Sequence, residues 1–373
     1  MAQKLAYNPA FSLNAICPYY TMFPLEYPAK IIARHKKRNP IIFDPFCGRG
    51  TTLYAARKSN LEAWGIDASP IAVAIAKAKL ASTSVNQVIE LANNLLQTDP
   101  IDVPEDPFFK AAFDKDTLKQ VCSLREGLMA IKRDTNASVF LKAAALGCLH
   151  GPLSKQLENA SYFSNQMPRT FSTKPDYSIK YWKERKLEAP KISVLEILEK
   201  KLRRIPELSQ NDRGHFNRIL MANSTIKSSY KKVASDFSLV ITSPPYYGMR
   251  TYIQDQWLRS WFLGGPSFVD YTQDEKQLSH SSIDNFINEL SLVWKNIYKS
   301  TSDELDLYIR FGSIRSANSD PRTLIKASLE QATGWRLVSV RNASSAHAGK
   351  RQAVQMKSKS LALDEFDFRV IRD

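Results

Sequence analysis

The sequence contains few cysteines and few histidines, and neither residue type forms a cluster. Four cysteines in 373 residues, with no CxxC pair and no suitably spaced histidine, predict free thiols in a reducing compartment and no bound metal. The five histidines are isolated along the chain, which favours structural or solvent-facing positions over catalytic ones.

Long apolar runs and a secretory signal are also missing. No stretch approaches the ~18 apolar residues of a membrane helix. The opening MAQKLAYNPAFSLNAIC lacks the apolar core of a signal peptide. We therefore expect a cytoplasmic protein with no membrane partner.

Acidic side chains are the scarcer charge. The 37 Asp and Glu residues face 52 Lys and Arg residues, which gives a net charge of +15. Such an excess suits a polyanionic partner, most often nucleic acid, although a basic solvated surface explains it equally well. At 43% hydrophobic and 24% charged, the chain has the composition of a globular protein with one large or two ordinary domains.

Seven short segments carry strand patterns. Segments 39–46 and 61–67 are each followed by a helical pattern, and Ser69 and Pro70 supply the N-cap and first position of the second helix. This alternation predicts a parallel βαβ unit. The remaining five segments are 217–224, 236–243, 305–312, 334–343 and 365–373. No helical pattern separates the last two, so we expect them to be antiparallel.

A mostly helical insert separates the second and third strands. Residues 81–215 contain four strong helical patterns and almost no strand signal. We therefore expect a catalytic domain at 1–80 and 216–373, and an inserted domain at 81–215. Within the insert, 151–205 holds twelve Lys and Arg against six Asp and Glu, together with several aromatic residues. A second basic stretch, 335–359, lies in the tail.

Two motifs stand at predicted strand ends. DPFCGRGTT (44–52) follows the first strand, and its Gly48 and Gly50 allow positive φ angles and close approach of a ligand. The loop is neither a Walker phosphate loop nor GxGxxG. Asp67 ends the second strand, where nucleotide-binding folds use an acid to bind ribose hydroxyls. The pair predicts an adenosine site, whereas an ordinary glycine turn is the simpler alternative.

The segment TSPPYYGMR (242–250) follows the fourth strand pattern. Its two prolines stop the strand and hold Ser243 and Tyr246 at a stiff loop. The loop thus presents a hydroxyl, a rigid carbonyl and aromatic faces at one point.

Together these motifs resemble the DNA amino-methyltransferases that use S-adenosylmethionine. YYTMFPLEYPAKII (19–32) is similar to that family's additional cofactor motif, a helix that starts after Phe-Pro. The resemblance implies a Rossmann-like class I methyltransferase fold, with a seven-stranded, mostly parallel sheet and an antiparallel C-terminal hairpin. It also implies a bacterial or archaeal source. The serine in Ser-Pro-Pro-Tyr is the version associated with cytosine N4 methylation.

The resemblance assigns roles to individual residues. Ser243, Pro244, Pro245 and Tyr246 would hold the target base. An exocyclic amine on a base is a poor nucleophile because its lone pair is delocalised into the ring. Acceptors at the Ser243 hydroxyl and the Pro244 carbonyl would bind both amino hydrogens and favour a pyramidal nitrogen, while Tyr246 would stack on a flipped base. S-adenosylmethionine would lie against Phe23, Pro24, Asp44, Pro45, Phe46, Cys47, Gly48, Gly50, Thr51, Thr52, Asp67, Ala68 and Asn223. Asn223 departs from the acid that often contacts the adenine ring. Contacts to double-stranded DNA are predicted for Tyr247, Arg250, Arg169, Lys174, Lys183, Lys350 and Arg351, and target recognition for the insert.

Other functions fit the same sequence. The loop would also serve an adenine-N6 DNA methyltransferase or a guanine-N2 methyltransferase of RNA, and a DNA-binding protein on an inactive methyltransferase scaffold is the non-enzymatic alternative. The sequence argues against a carbon-5 cytosine enzyme, because no Pro-Cys dipeptide supplies its cysteine nucleophile. Whether a cognate restriction endonuclease accompanies the protein stays open.

Overall fold

The protein consists of two compact units. The computed structural model describes residues 13–19, 23–151, 159–164, 174–205, 214–248, 254–270, 278–301, 304–314, 319–343 and 362–373. Within these, the sheet unit takes its residues from 20–76, 217–250 and 273–373. The helical unit takes its residues from 1–19, 77–216 and 251–272.

A single mixed sheet organises the sheet unit. Its strands are β1 (Ile41–Asp44), β2 (Ala63–Asp67), β3 (Ile219–Met221), β4 (Phe237–Thr242), β5 (Asp306–Ile314), β6 (Trp335–Asn342) and β7 (Ala362–Arg372). The spatial order is β3-β2-β1-β4-β5-β7-β6, in which the first five are parallel and β7 runs antiparallel to both β5 and β6. The expected Rossmann-like fold is therefore confirmed, including the antiparallel pair at its C-terminal end.

The helices of the sheet unit connect these strands. They are α1 (Glu26–His35), α2 (Thr51–Lys58), α11 (Ile283–Ser300) and α12 (Pro321–Ala332), while α3 (Pro70–Leu80) contributes residues to both units. Central strands are buried on both faces, and Phe43, Phe237 and Val240 join Trp294 of α11 in one apolar cluster. Trp294 satisfies its indole N–H by donating to the Ser328 hydroxyl at 2.9 Å.

The helical unit confirms the helical character of the insert. Its helices are α4 (Val85–Leu96), α5 (Pro107–Ala112), α6 (Lys115–Ala130), α7 (Asn136–Cys148), α8 (Pro175–Glu184), α9 (Val194–Leu202) and α10 (Trp257–Phe262). Ser84 and Thr135 start α4 and α7 with capping boxes, which satisfy otherwise free N–H groups. Phe109 packs on Trp261, with ring centroids 4.7 Å apart.

The helical unit is larger than the insert 81–215 that we expected from the sequence. Its additional segments, in 1–19 and 251–272, lie outside that range. The reason is visible at Arg259 of α10, whose guanidinium donates to Leu146 O at 3.1 Å and to Pro18 O at 2.7 Å. None of the helices in the described ranges is long and apolar enough to cross a membrane.

Candidate active site

The loop after β1 has the geometry that its glycines predict. Gly48 and Gly50 have φ angles of 50° and 75°, and Gly50 is the residue that precedes α2. A Cβ on Gly50 would lie 2.9 Å from the Cβ of Ala76, so close packing also requires glycine there. A Cβ on Gly48 would meet no atom of the described part of the chain within 4 Å. The first glycine therefore borders open space, and the second fixes the loop against α3.

Asp67 holds the glycine loop from the end of β2. Its Oδ2 accepts from Gly48 N at 2.8 Å, and its Oδ1 accepts from Ser69 N at 2.9 Å. Burial raises the pKa of Asp67 to about 6, although the two N–H groups oppose that shift. The side chain is nonetheless ionised at neutral pH, and a carboxylate has acceptor capacity beyond two hydrogen bonds. Asp67 can therefore support the loop and accept ligand hydroxyls.

Asp44 is a buried carboxyl with one unsatisfied oxygen. Its Oδ1 accepts from Phe46 N at 3.1 Å and from the Thr242 hydroxyl at 2.7 Å. Its Oδ2 is buried and has no hydrogen-bond partner among the described residues. Burial raises the pKa of Asp44 to about 7, against the opposing effect of the hydrogen bonds from the Thr242 hydroxyl and Phe46 N. Such an oxygen suits a cationic or hydrogen-bond-donating ligand group.

The bond between Asp44 and Thr242 joins the two sequence motifs. β1 and β4 are adjacent and parallel, so the loops that follow them leave the sheet at the same edge. Thr242 is the last residue of β4 and directly precedes Ser243. Thr52 adds a second link, because its hydroxyl donates to Ile241 O at 3.2 Å. The glycine loop and the Ser-Pro-Pro-Tyr loop are thus built as one site.

The Ser-Pro-Pro-Tyr loop leaves its serine and tyrosine partly accessible. Ser243, Pro245 and Tyr246 are half-buried, and Pro244 is buried. The Tyr246 hydroxyl donates to Glu365 Oε1 at 2.7 Å, and its ring meets the buried Phe311 edge-on, with centroids 5.5 Å apart. The tyrosine therefore has a fixed ring in a loop that is held at both ends.

Tyr247, which we predicted to contact DNA, packs onto the sheet unit. Its ring lies edge-on to Phe286, with centroids 5.4 Å apart, and tilted to His280. The next residue, Gly248, donates its N–H to His280 Nδ1 at 3.2 Å. The described contacts of Tyr247 thus anchor the loop, and a contact to DNA stays a prediction.

Asn223 follows β3 and shapes a turn. Its Oδ1 accepts from both the backbone N–H and the hydroxyl of Thr225, each at 2.8 Å. Its carbonyl accepts from the Ser229 hydroxyl at 2.7 Å. The neighbouring Ser224 donates its hydroxyl to Pro45 O, which ties this turn to the glycine loop. Contact between Asn223 and the adenine of a cofactor remains a prediction.

The other predicted cofactor residues surround the same strand ends or the start of α1. Phe23 is half-buried and packs edge-on against Tyr27, and Pro24 is exposed just before the helix. Pro45, Cys47, Thr51 and Thr52 are buried, and Phe46 and Ala68 are half-buried. Cys47 is confined by packing, because a Cβ on Gly65 would lie 2.9 Å from its Cβ. The four buried residues therefore pack inside the protein and support the glycine loop.

Of the predicted DNA-binding residues in the helical unit, two are described. Lys174 precedes α8 and Lys183 lies in its last turn, and both are exposed. Arg169, Arg250, Lys350 and Arg351 lie outside the described residues. No group of three or more His, Cys, Asp or Glu side chains within the described ranges could hold a metal ion.

Two residues of the site carried no recognisable sequence signal. Thr242 could have been noticed only as the hydroxyl residue next to Ser243, and nothing in the strand pattern of β7 singled out Glu365. Both act through contacts between residues far apart in the chain: 44 with 242, and 246 with 365.

Comparison with known proteins gives a family match for the N-terminal part of the chain. The family model described as "DNA methylase", of the N6/N4 type, matches residues 5–78, which include the helix α1, the glycine loop and Asp67. Residues 5–78 are therefore similar to DNA methylases, and the match does not extend to the rest of the chain. The match does not distinguish between N4 and N6 chemistry. No curated protein matches the chain at a significant level.

The solved structures that resemble this chain are distant in sequence. Two are of the rRNA methyltransferase aviRa from Streptomyces viridochromogenes, at 1.5 Å and 2.4 Å, and both are 11% identical to this chain. The first alignment covers 98% of this chain and 94% of aviRa at a TM-score of 0.36; the second covers 97% and 92% at 0.35. Similarity this low does not indicate a shared substrate.

Proposed function

We propose that the protein methylates the exocyclic N4 amine of cytosine in double-stranded DNA, with S-adenosylmethionine as methyl donor. The observation that carries the proposal is the hydrogen bond between the Thr242 hydroxyl and Asp44 Oδ1. It places the loop of the DNA methylase segment beside a Ser-Pro-Pro-Tyr loop outside the matched range 5–78. A cofactor loop and an amine-binding loop at one sheet edge are what direct methyl transfer requires.

The residues present fit a cationic nucleoside cofactor. The unpaired Oδ2 of Asp44 would accept from its amino group, and Asp67 would accept from its ribose hydroxyls. The open space above Gly48 allows the cofactor to approach the backbone. When bound, S-adenosylmethionine supplies an electrophilic methyl group on a sulfonium.

The loop after β4 would prepare the acceptor amine. The Ser243 hydroxyl and the Pro244 carbonyl accept from the two amino hydrogens, so that the nitrogen lone pair turns away from the ring plane. Tyr246 stacks on the flipped base. No strong general base is needed, because the amine becomes acidic once it carries the methyl group and a positive charge. DNA binding by the helical unit belongs to the same proposal and is supported by exposed Lys174 and Lys183.

Mass spectrometry of enzymatically digested DNA tests this function. Purified protein, S-adenosylmethionine and duplex DNA should yield N4-methylcytosine. Ser243→Ala should lower the rate about 100- to 1000-fold, the typical loss for one preorganised electrostatic contact. Ser300→Ala is the matched control, because it also removes a half-buried hydroxyl that bonds to a carbonyl, Asn296 O. N6-methyladenine alone would refute the base assignment, and methylated guanine in RNA would refute the substrate.

A further inference from the structure

Tyr246 is held by a buried carboxylate from the distant strand β7. Glu365 is only 4% exposed, and its Oε1 accepts from the Tyr246 hydroxyl at 2.7 Å. The cross-strand partner of Glu365 on β5 is Gly312, which has no side chain. The glycine leaves room opposite Glu365, so that a side chain from the loop after β4 can reach the carboxylate.

Two contacts in different directions fix the tyrosine ring. Glu365 binds its hydroxyl, while Phe311 meets the ring edge-on. Phe311 is fully buried, so this part of the contact surface cannot move away easily. A hydrogen bond at one end of the ring and a packed aromatic neighbour together define both its position and its tilt.

A cation compensates the negative charge of this region. Arg310 of β5 binds both carboxylate oxygens of Asp367, at 2.7 Å and 2.8 Å, and also interacts electrostatically with Glu365. Glu365 and Asp367 alternate along β7 and therefore project from the same face of the sheet. The guanidinium of Arg310 offsets part of the electrostatic cost of placing two carboxyl groups on one face of the sheet.

The strand itself does not need this bond. β7 is paired along one edge with β5 and along the other with β6, so its place in the sheet is fixed by backbone hydrogen bonds. The loop after β4 has two prolines and no strand partner beyond Thr242 among the described residues. The hydrogen bond between Tyr246 and Glu365 therefore orders the loop after β4 rather than β7.

We propose that Glu365 is a positioning residue for Tyr246, which it holds in the orientation that receives the target base. The inference rests on the proposed base-binding role of Tyr246 and extends it to a residue outside every recognised motif. Because Glu365 acts through Tyr246, its loss should lower the rate of methyl transfer and leave cofactor binding unchanged.

Kinetics with a double-mutant cycle test the proposal. Glu365→Ala and Tyr246→Phe should each lower kcat roughly 10- to 100-fold, the loss of rate expected when a group that positions the substrate is no longer held in place. The double variant should be no worse than either single one. Glu365→Gln keeps an acceptor oxygen and should recover a large part of the rate. Tyr308→Phe, which removes a hydroxyl that bonds to His35 on the same sheet, is the control and should retain full kcat.

A readout independent of activity separates this proposal from the proposed function. The label is 3-fluorotyrosine at position 246. Glu365→Gln and Glu365→Ala should each shift the ¹⁹F resonance of this label, whereas Tyr308→Phe should leave it unchanged. An unchanged resonance, or additive losses in the cycle, would overturn the positioning role. A shifted resonance in a protein that methylates no DNA would support the contact and refute the proposed function instead. Cofactor calorimetry on each variant shows that the site remains folded.

Discussion

Replacing Asp44 by asparagine should remove a pH-dependent cost that the folded protein now bears. The wild-type carboxyl is 1% exposed and has one unpaired oxygen, so its charged form is disfavoured. Asparagine has the same shape, and its Oδ1 can still accept from Phe46 N and the Thr242 hydroxyl. The substitution therefore changes the charge and little else in the loop.

The size of the effect follows from the pKa of Asp44. Burial raises it from 3.8 to about 7 in the folded protein. Each pKa unit corresponds to about 1.36 kcal/mol, so ionisation lowers the free energy of unfolding by about 4 kcal/mol as an upper bound. For a carboxyl whose folded pKa is raised, the stabilisation is complete below the unfolded pKa near 4. It is lost as the pH rises through the folded pKa near 7, above which stability no longer changes.

Urea unfolding at several pH values between 4 and 8 measures how the free energy of unfolding depends on pH. Wild-type stability should fall about 2–4 kcal/mol more over that range than the stability of Asp44→Asn, while exposed Asp284→Asn should follow the wild type. The comparison uses slopes, because the new amide donor adds a constant cost of about 1–3 kcal/mol. S-adenosylmethionine should reduce the difference in pH dependence between the wild type and Asp44→Asn, because its cationic amino group near Oδ2 would favour the ionised form of Asp44. Parallel pH profiles for wild type and Asp44→Asn would refute this account of the buried carboxyl.

Further predictions concern the loops and the helical unit. Gly50→Ala should lower the free energy of unfolding in urea by about 2 kcal/mol or more, because the alanine would have a positive φ and a Cβ 2.9 Å from the Cβ of Ala76. Gly48→Ala should chiefly weaken cofactor binding, measured by calorimetry, because Gly48 borders open space. Asp67→Ala should weaken cofactor binding by about 1.5–3 kcal/mol. The affinity of the wild type for the cofactor should decline as the pH falls below about 6, because the Asp67 carboxylate is then protonated. Replacing 160–190 by a Gly/Ser linker should abolish site-specific DNA binding in gel-shift assays but preserve cofactor binding; methylation of the original site by that chimera would contradict a recognition role for the segment.

The sheet could be predicted from the sequence because its signals are local. Segments such as 236–243 combine a buried apolar run with a sharp proline boundary, and all seven strands form where the pattern indicated. The glycine loop was predictable for the same reason, since Gly48 and Gly50 mark positive φ positions within a few residues of a strand end.

The contacts that complete the site were not predictable, because they are long-range. The pairing of Glu365 with Tyr246 depends on how β7 enters the sheet, and the strand pattern specifies only which side chains alternate. Arg259 likewise shows why the helical unit exceeds the insert: its carbonyl partners, Leu146 and Pro18, are separated from it by more than a hundred residues of chain. Neither relation has a periodicity that a sequence window can detect.

The position of β7 imposes an order on synthesis and folding. β6 is synthesised before β7, but in the sheet β7 lies between β5 and β6. β6 therefore has no neighbouring strand until β7 has been made. Until residues 362–373 emerge, β5 and β6 each have an unpaired edge, which is a surface prone to pairing with other chains. The Ser-Pro-Pro-Tyr loop gains its contact with Glu365 at the same moment, because that residue lies on β7. A nascent chain stalled before β7 would therefore lack this contact and be prone to aggregation, so that the order of the loop depends on completion of the sheet.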